Sequence, residues 1–306
     1  MECDRVGWFG LQVAISAIAD LRSGIVELVL LRVNYYVLNK RKPSVDFNLD
    51  QRSDMDIETQ DRKAAKTMLR EALAAEGGDI KHEAVATAIK KLVSLNPTAA
   101  PARSEALMDG QWLLISAPNF PNGELQADGK YLYTLGRLAF NMFQPTSLKI
   151  VIDRVLQPVV PVGKGQQRTH DIIVEFTTAD ENTPTLQGIV HNEGICEPTN
   201  DNILQVQFTG GALAPKEQND LEAWKAIFGN QSKPSTTGLK ERLMTSVLRM
   251  MFGIVPPQEM ERKTGRVSFK MQRSPKGKLE LLYLDEELRI TRGERGTVLV
   301  CERLLG

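Results

Sequence analysis

The sequence predicts a mainly β protein of the α+β class, in which helices precede an antiparallel β-barrel. From Gln111 onwards, short β-rich runs alternate with turns rich in Gly, Pro, Asn and Asp. Strands do not alternate regularly with long helices, which argues against a parallel sheet. Near the chain end, residues 278–303 contain three apolar runs separated by turns at 285–287 and 293–296. Such runs are typical of consecutive antiparallel strands.

The first of these final strands is apolar on both faces, because residues 281–284 read Leu-Leu-Tyr-Leu. A strand of this kind is covered on both sides. We therefore expect a barrel interior against one face and a helix or lipid against the other.

The charge balance argues against a nucleic-acid-binding protein. The 306 residues include 38 Lys and Arg and 38 Asp and Glu, whereas nucleic-acid proteins usually carry a basic excess. A local basic patch would still allow peripheral membrane contact. The cysteines Cys3, Cys196 and Cys301 lie far apart, and the three histidines form no short-range cluster. We predict a reducing compartment, no metal site and no cofactor.

Residues 1–54 form an N-terminal extension that allows three interpretations. Its apolar part, 8–38, is interrupted by charges, and the longest charge-free run, 6–19, is too short to span a bilayer. The extension is an amphipathic helix on a membrane, a helix docked on the domain, or the product of an upstream start codon with Met55 as the true start. We favour the third. Its acidic residues argue against a transit peptide.

Residues 55–98 form a helical leader of two helices. The apolar positions that recur at helical spacing are Ala65, Met68, Leu69, Ala72 and Leu73 in the first helix and Val85, Ile89, Leu92 and Val93 in the second. Gly77-Gly78 and Asn96-Pro97 end them.

Residues 99–306 form the barrel domain. The strands predicted before the last three are 111–116, 130–143, 147–155, 169–178, 185–192, 202–209 and 266–271. A helical insertion at about 210–263 precedes the last strands. One of its helical pieces carries Leu221, Trp224 and Phe228 at helical spacing, and a second spans 240–252. These pieces pack as core, or they cover the barrel mouth as a lid.

Three separated motifs agree with one family. They are LVSLNPTAAP, Gly110-x-Trp112 and YLDEELRITRGERGTVLV. With them the chain resembles the plastid lipid-associated proteins, or fibrillins, over roughly residues 60–303. Departures are Leu114-Ile115-Ser116-Ala117 after the tryptophan and Cys301 in the last strand. Residues 1–54 match nothing in the family pattern, and the insertion does not align residue by residue.

The resemblance implies a lipocalin-like barrel that binds hydrophobic small molecules such as carotenoids, quinones or acyl lipids without catalysis. It implies association with thylakoids or lipid globules, in the setting of photoprotection. A cyanobacterial source, with the protein thylakoid-associated or cytoplasmic, fits the lack of a visible transit peptide; a eukaryotic source would mean the plastid. The alternative function is a structural coat of membranes or globules without a defined cavity.

The residues that would line a ligand site are mostly aromatic: Trp112, Tyr131, Tyr133, Phe140, Phe176 and Phe208. Inward side chains of a barrel come from every second residue, so Tyr131 and Tyr133 share a face, and a hydroxyl there would orient the polar end of a ligand. The alternative is that the rings fill a small solid barrel.

Charged residues of the last strands allow two interpretations. Arg289 and Arg292 bind an anionic headgroup or carboxylate, or Asp285 pairs with an arginine across the turn and fixes the barrel closure. We favour the second. The structural motif of the family comprises Gly110, Tyr283, Asp285, Arg292 and Gly293. No nucleophile elbow or phosphate-binding loop is present in the sequence, so we predict no enzyme.

Overall fold

The computed structural model describes residues 47–120, 122–138, 141–181, 183–216, 221–231, 253–255, 257, 259–274 and 276–304, with side chains from residue 55 onwards. The chain divides into two compact units, Met1–Thr59 and Gln60–Gly306. In the first unit, the described residues belong to the beginning of helix α1, Phe47–Ala75. The second unit holds the rest of α1 and every element below. Most of the predicted N-terminal extension lies outside the described residues.

Two helices cover one outer side of the barrel. After α1, a turn with two glycines leads to α2, Glu83–Ser94. Gly78 has a φ of +78° and lies against the backbone of Ala117, so a side chain has neither the conformation nor the space there. The helix residues that the barrel buries are Ala65, Leu69, Leu73, Val85, Ala88, Ile89 and Leu92.

Eight antiparallel strands close the barrel. In ring order they are β1 (Gly110–Leu114), β4 (Lys149–Val159), β6 (Ile172–Thr178), β7 (Gln187–Pro198), β8 (Ile203–Pro215), β11 (Lys276–Leu284), β12 (Leu288–Gly293) and β13 (Val298–Leu304). The ring closes where β13 pairs with β1, with Gln111 opposite Leu304. Every sheet edge within this ring is therefore hydrogen-bonded to a neighbour.

Shorter elements extend the barrel at its ends. The short strands are β2 (Glu124–Leu125), β3 (Tyr131–Thr134), β5 (Arg168–Thr169), β9 (Ile254–Val255) and β10 (Val267–Met271). The short helices are a 3-10 turn (Pro101–Arg103), α3 (Glu105–Met108), α4 (Leu135–Leu138) and α5 (Leu221–Phe228). The strand β3 pairs with the start of β4, and β10 pairs with the second half of β8.

Three apolar clusters hold the second unit together. The Trp112 cluster lies inside the barrel at one end and includes Trp112, Cys196, Leu204, Leu284 and Cys301. The aromatic cluster lies at the other end and includes Tyr133, Phe143, Phe176, Trp224, Phe228 and Phe269. The helix-side cluster lies between α1, α2 and the outer faces of β11–β13. Burying one Leu-sized side chain contributes roughly 1.5–3 kcal/mol, so each cluster is a major part of the stability.

The fold class predicted from the sequence is confirmed: a mainly β, lipocalin-like barrel follows two helices. The two-sided apolarity of β11 has the predicted cause. Leu281 and Leu284 belong to the Trp112 cluster inside, whereas Tyr283 belongs to the helix-side cluster outside. A β-bulge between Leu281 and Tyr283 produces this change of face.

Several predicted boundaries are wrong. The strand predicted at 130–143 ends at Thr134, because the helix α4 follows directly. The strand β8 continues to Pro215, so the helical part of the predicted insertion begins later than 210. On α1, Met68 was placed on the buried stripe but is 42% exposed. The predicted helix at 240–252 lies outside the described residues.

Candidate ligand site in the barrel

One end of the barrel is closed by Trp112. Its ring is fully buried, and its Nε1 donates a hydrogen bond of 2.9 Å to the Met108 carbonyl at the end of α3. The short helix is thereby attached to the first strand. Gly110 has a φ of +139°, and a Cβ at this position would collide with the guanidinium of Arg303. In the Gly-x-Trp motif, the glycine thus leaves space for Arg303, and the tryptophan fills this end of the barrel.

Arg303, at the end of β13, covers the tryptophan plug. Its guanidinium carbon lies 4.3 Å from the Trp112 ring centroid. The side chain donates hydrogen bonds to the carbonyls of Asp109 (2.6 Å), Glu286 (2.7 Å) and Leu107. Burial, and after it the nearby positive charge of Arg289, lowers the pKa of Arg303. The guanidinium joins three chain segments at the closed end.

Arg168 closes the same end from the side of β5. Its guanidinium is buried and pairs with Glu105 (2.6 Å) and Asp109 (2.7 Å). A residual cavity of about 10 Å³, with room for about one water molecule, lies beside it. Its lining includes Met108, Cys196 and Leu204. The space beside Arg168 is therefore too small for a lipid chain.

Arg289 points into the barrel from β12. Its Nη2 donates a hydrogen bond of 2.5 Å to Gln157 Oε1 on β4, and its guanidinium carbon lies 4.8 Å from the centroid of the Trp112 ring. The residue is only 4% exposed, and its Nε has no hydrogen-bond partner among the described residues. The guanidinium is thus a desolvated cation next to a neutral amide.

A histidine and two thiols lie in the electrostatic field of Arg289. Burial, and after it the charge of Arg289, lowers the pKa of His170 to about 4. The Phe208 ring lies 5.9 Å from the His170 ring. Burial raises the pKa of Cys301, and it raises that of Cys196 to about 11. Both cysteines are buried and unpaired, so they are neutral core thiols rather than nucleophiles.

Two of the predicted ligand-binding aromatics lie together on β3. Tyr131 stacks on Tyr133 at 6.2 Å, and Phe120 meets Tyr133 edge-on at 5.9 Å. The Tyr133 hydroxyl donates a hydrogen bond of 2.7 Å to the Pro118 carbonyl. Burial raises the pKa of Tyr133 to about 12. The hydroxyl that was expected to orient a ligand thus holds the loop before β2.

The helix α5 covers the aromatic cluster. Trp224 and Phe228 lie 4.0 Å apart between ring centroids, and Trp224 Nε1 donates to the Gly265 carbonyl at 2.9 Å. Both rings pack with Phe176, which is fully buried. Gly188 is required beneath them, because a Cβ there would collide with Phe176 and would lie 2.8 Å from Trp224. The helix therefore completes the core at this end and covers it at the same time. Phe140, another predicted wall residue, lies outside the described residues.

Asp285 pairs with a lysine of α1, not with an arginine as predicted. Its Oδ2 lies 2.6 Å from Lys66 Nζ and accepts a hydrogen bond of 2.6 Å from the Tyr283 hydroxyl. Its Oδ1 accepts bonds from the amides of Glu287 and Leu288. Burial would raise the pKa of Asp285, but these partners, Lys66 first, hold it below its ordinary value. Fixing the chain at this turn is the role predicted for Asp285, with a different partner.

The remaining motif residues lie at the surface or in turns. Arg292 pairs with Glu280 on the neighbouring strand at 2.7 Å and is half-exposed. Gly293 donates its amide to the Thr297 carbonyl in the last turn. The Asn-Pro helix end also reaches this region, because Asn96 Oδ1 accepts a hydrogen bond from the Leu284 amide. The three sequence motifs thus meet in space around β11–β13.

A cavity of about 630 Å³ lies on the outside of the sheet. Its walls include Leu132 and Val151, which point away from the inward residues Tyr133 and Ile150 by strand alternation. The other lining residues are mostly polar: Gln126, Asp128, Lys149, Asp180 and Glu181. A polar lining on an open surface does not suit an apolar ligand.

Four residues that build the site were not predicted from the sequence: Lys66, Gln157, Arg168 and Arg303. Each makes its contact across the barrel or between helix and barrel, at sequence separations that local patterns do not reveal. The alternation along 148–153 was visible, but β4 contains a bulge between Ile152 and Arg154, so the inward position of Gln157 did not follow from simple parity. The signal available in the sequence for Arg303 was its position three residues after the C-terminal motif.

In the part of the chain that the structure describes, no helix has an apolar stretch that could span a bilayer. No group of three or more His, Cys, Asp or Glu side chains among the same residues could hold a metal ion.

The PAP_fibrillin family model matches residues 66–302, which include the whole barrel ring apart from the last two residues of β13. The chain therefore belongs to the PAP_fibrillin family, a family of lipid-associated structural proteins of plastids and thylakoids. No curated protein and no solved structure matches the chain.

Proposed function

We propose that this protein binds a hydrophobic small molecule, such as a carotenoid, a quinone or an acyl lipid, inside its barrel at a thylakoid or lipid-globule surface, without catalysis. The observation that carries the proposal is the apolar character of the barrel interior. Apolar side chains fill the barrel from the Trp112 cluster to the aromatic cluster, and Leu114 packs against both. A continuous apolar interior is the environment that a hydrophobic ligand requires.

The outer surface argues in the same direction. In the second unit, the large apolar side chains that are exposed among the described residues are Met68, Leu125 and Val160. They lie on α1, on β2 and just after β4, and isolated side chains of this kind are normal for a soluble domain. A structural coat that binds through an exposed apolar patch would need a contiguous group. This observation favours the interior over the surface as the lipid site.

We propose that the ligand enters beneath α5 at the aromatic end. The opposite end is closed by Trp112, Arg303 and Arg168, and each of these is fixed by hydrogen bonds or ion pairs. The aromatic end is held mainly by the packing of Trp224 and Phe228. An entering apolar ligand can replace these apolar contacts with equivalent ones of its own. It cannot replace the hydrogen bonds and ion pairs of the closed end.

Co-purification tests the proposal. The full chain is produced in a host that makes carotenoids and quinones, isolated without detergent and extracted with organic solvent for mass spectrometry. About one molecule of pigment, quinone or acyl lipid per chain is expected. Binding to liposomes by a protein that carries no small molecule would support a structural coat instead and would refute the proposal.

The entry route has a separate test. A short-chain plastoquinone analogue is titrated while tryptophan fluorescence is recorded for the wild type, Trp224→Phe and Trp112→Phe. Quenching should fall in Trp224→Phe and persist in Trp112→Phe, since a ligand beneath α5 is nearer to Trp224. The reverse pattern would place the ligand at the closed end and contradict the route.

A further inference from the structure

The barrel interior contains one buried cation that differs from the others. Three cationic residues among the described ones are buried: Lys66, Arg168 and Arg289. Lys66 pairs with Asp285, and Arg168 pairs with two carboxylates. Arg289 forms no ion pair with any carboxylate of the described residues, and its Nε has no partner there.

The position of Arg289 follows from strand alternation. Its neighbours Leu288 and Ile290 face outward and pack in the helix-side cluster. Arg289 must therefore face the barrel interior, as does its cross-strand partner Cys301. The side chain cannot reach solvent without a change of strand register, because register shifts invert every residue of the strand.

The surroundings of Arg289 leave part of its hydrogen-bonding capacity for another group. A guanidinium has five N–H donors; Arg289 bonds to Gln157 Oε1 and to the Cys301 thiol, while its buried Nε has no partner among the described residues. The Trp112 ring, the Cys301 thiol and His170, whose pKa is lowered to about 4, bring no negative charge at neutral pH. A desolvated cation in such surroundings is costly unless an anion joins it.

We propose that the barrel takes an amphiphile with one long apolar chain and a terminal carboxylate, and that Arg289 binds the carboxylate. The inference rests on the proposed function and names the ligand class of that site. A carboxylate accepts two parallel N–H bonds from a guanidinium, which suits the unused donors of Arg289. The apolar chain extends from there towards the aromatic cluster.

The charge balance selects a monoanion. At this end Arg168 pairs with two carboxylates and Arg303 donates to three carbonyls, so among the described residues Arg289 is the guanidinium that offers a ligand an unpartnered Nε and a single positive charge. A carboxylate cancels this charge, whereas a phosphate dianion would leave a net negative charge in the barrel. A neutral carotenoid or quinone would leave Arg289 uncompensated.

Paired ligands test the inference directly. Binding of oleate and of oleyl alcohol, which share one chain and differ in the charged group, is measured on the full chain. Arg289→Gln is compared with Arg292→Gln, which removes a half-exposed arginine three residues away on the same strand. We expect the wild type and Arg292→Gln to bind oleate about tenfold or more tightly than the alcohol. Arg289→Gln should lose this preference and keep its affinity for the alcohol.

The outcomes separate the two proposals. Equal affinity of the wild type for oleate and the alcohol refutes the carboxylate site and leaves hydrophobic binding intact. If the wild type binds none of the four ligands (oleate, oleyl alcohol, a quinone or a carotenoid), the proposed function is refuted as well. An unchanged preference in Arg289→Gln also overturns the inference.

The melting temperature gives a second readout that does not depend on the ligand. A purely structural arginine should stabilise the protein, so Arg289→Gln should melt lower. A ligand-binding arginine is an uncompensated charge in the ligand-free protein, and Arg289→Gln should melt at the same or a higher temperature. If this variant fails to fold, the structural role is established and the inference is wrong.

Discussion

Asp285 and Arg289 lie four residues apart and are both buried, yet their surroundings differ. The carboxylate of Asp285 is paired with Lys66 and accepts three further hydrogen bonds. Arg289 bonds only to neutral groups among the described residues, the Gln157 amide and the Cys301 thiol. The first arrangement fastens the helix α1 to the barrel. The second leaves the buried Nε of Arg289 without a partner among the described residues, which is the observation behind the proposed carboxylate site.

The contrast also separates the two faces of β12. On the outer face, ion pairs and apolar packing together fix one geometry, with Leu288 and Ile290 under the helices. On the inner face, Arg289 and Thr291 are buried polar residues, and Gln157 of β4 lies beside Arg289. The C-terminal motif thus combines a structural face with a candidate ligand face, whereas the sequence indicated mainly the structural one.

The largest expected effect is on the Asp285 side. Lys66→Met should lower the free energy of unfolding by about 3–5 kcal/mol, since it leaves the Asp285 carboxylate buried without its counter-ion. Urea denaturation measures it. Adding Asp285→Asn should recover part of the loss, because the unpaired charge is then removed. If the double variant loses as much stability as the sum of the two single variants, Lys66 and Asp285 are not coupled. The contrast between Asp285 and Arg289 would then be wrong.

On the Arg289 side the opposite sign is expected. Arg289→Met should raise the free energy of unfolding of the ligand-free protein by about 1 kcal/mol or more, because an uncompensated buried charge is replaced by an apolar chain of similar length. Urea denaturation of delipidated protein is the measurement. A loss of stability similar to that of Lys66→Met would show that Arg289, like Lys66, stabilises the fold.

The histidine beside Arg289 predicts a pH dependence. Folding lowers the pKa of His170 from 6.5 to about 4, so the unfolded chain binds an extra proton between these values. Stability from this group is complete above pH 6.5 and is lost as the pH falls towards 4, by at most about 1.4 kcal/mol per pH unit. His170→Gln should flatten the denaturation profile between pH 6.5 and 4. Parallel profiles for the variant and the wild type would contradict this.

The smallest effect is expected at the surface. Arg292→Gln breaks the half-exposed pair with Glu280 and should change the free energy of unfolding by less than about 1 kcal/mol. The same denaturation series measures it. A change as large as that of Lys66→Met would mean that exposure does not distinguish the charged residues of the final strands.

The sequence predicted the fold class, the two helices and the closing strands because each rests on local regularities. Helical spacing identified the buried stripe of Leu69 and Leu73, and turn residues separated β11, β12 and β13. The Gly110-x-Trp112 motif was also visible in the sequence, but the role of Trp112 as a plug bonded to α3 is seen only in the structure. Local patterns failed where a helix directly follows a strand, as at Thr134, and where an exposed methionine continues an apolar stripe, as at Met68.

The candidate site was only partly accessible. Arg289 was named as a ligand residue, but its status depends on Gln157, 132 residues away, and on which carboxylates are absent from its neighbourhood among the described residues. The partner of Asp285 was likewise predicted to be a nearby arginine and is Lys66 instead, on a different element. The partner of a buried charged residue depends on which helices and strands pack against it, not on which residues are near it along the chain.

The sequence by itself therefore determined the barrel, the helices and the polar and apolar periodicity of each strand, because these follow from side-chain spacing along one element. Only the tertiary structure decided which buried charges are neutralised. Closure of the ring places β4 against β1 and brings Gln157 to Arg289, while helix docking brings Lys66 to Asp285. The physical reason is that the energy of a buried charge depends on all groups within a few ångströms in space.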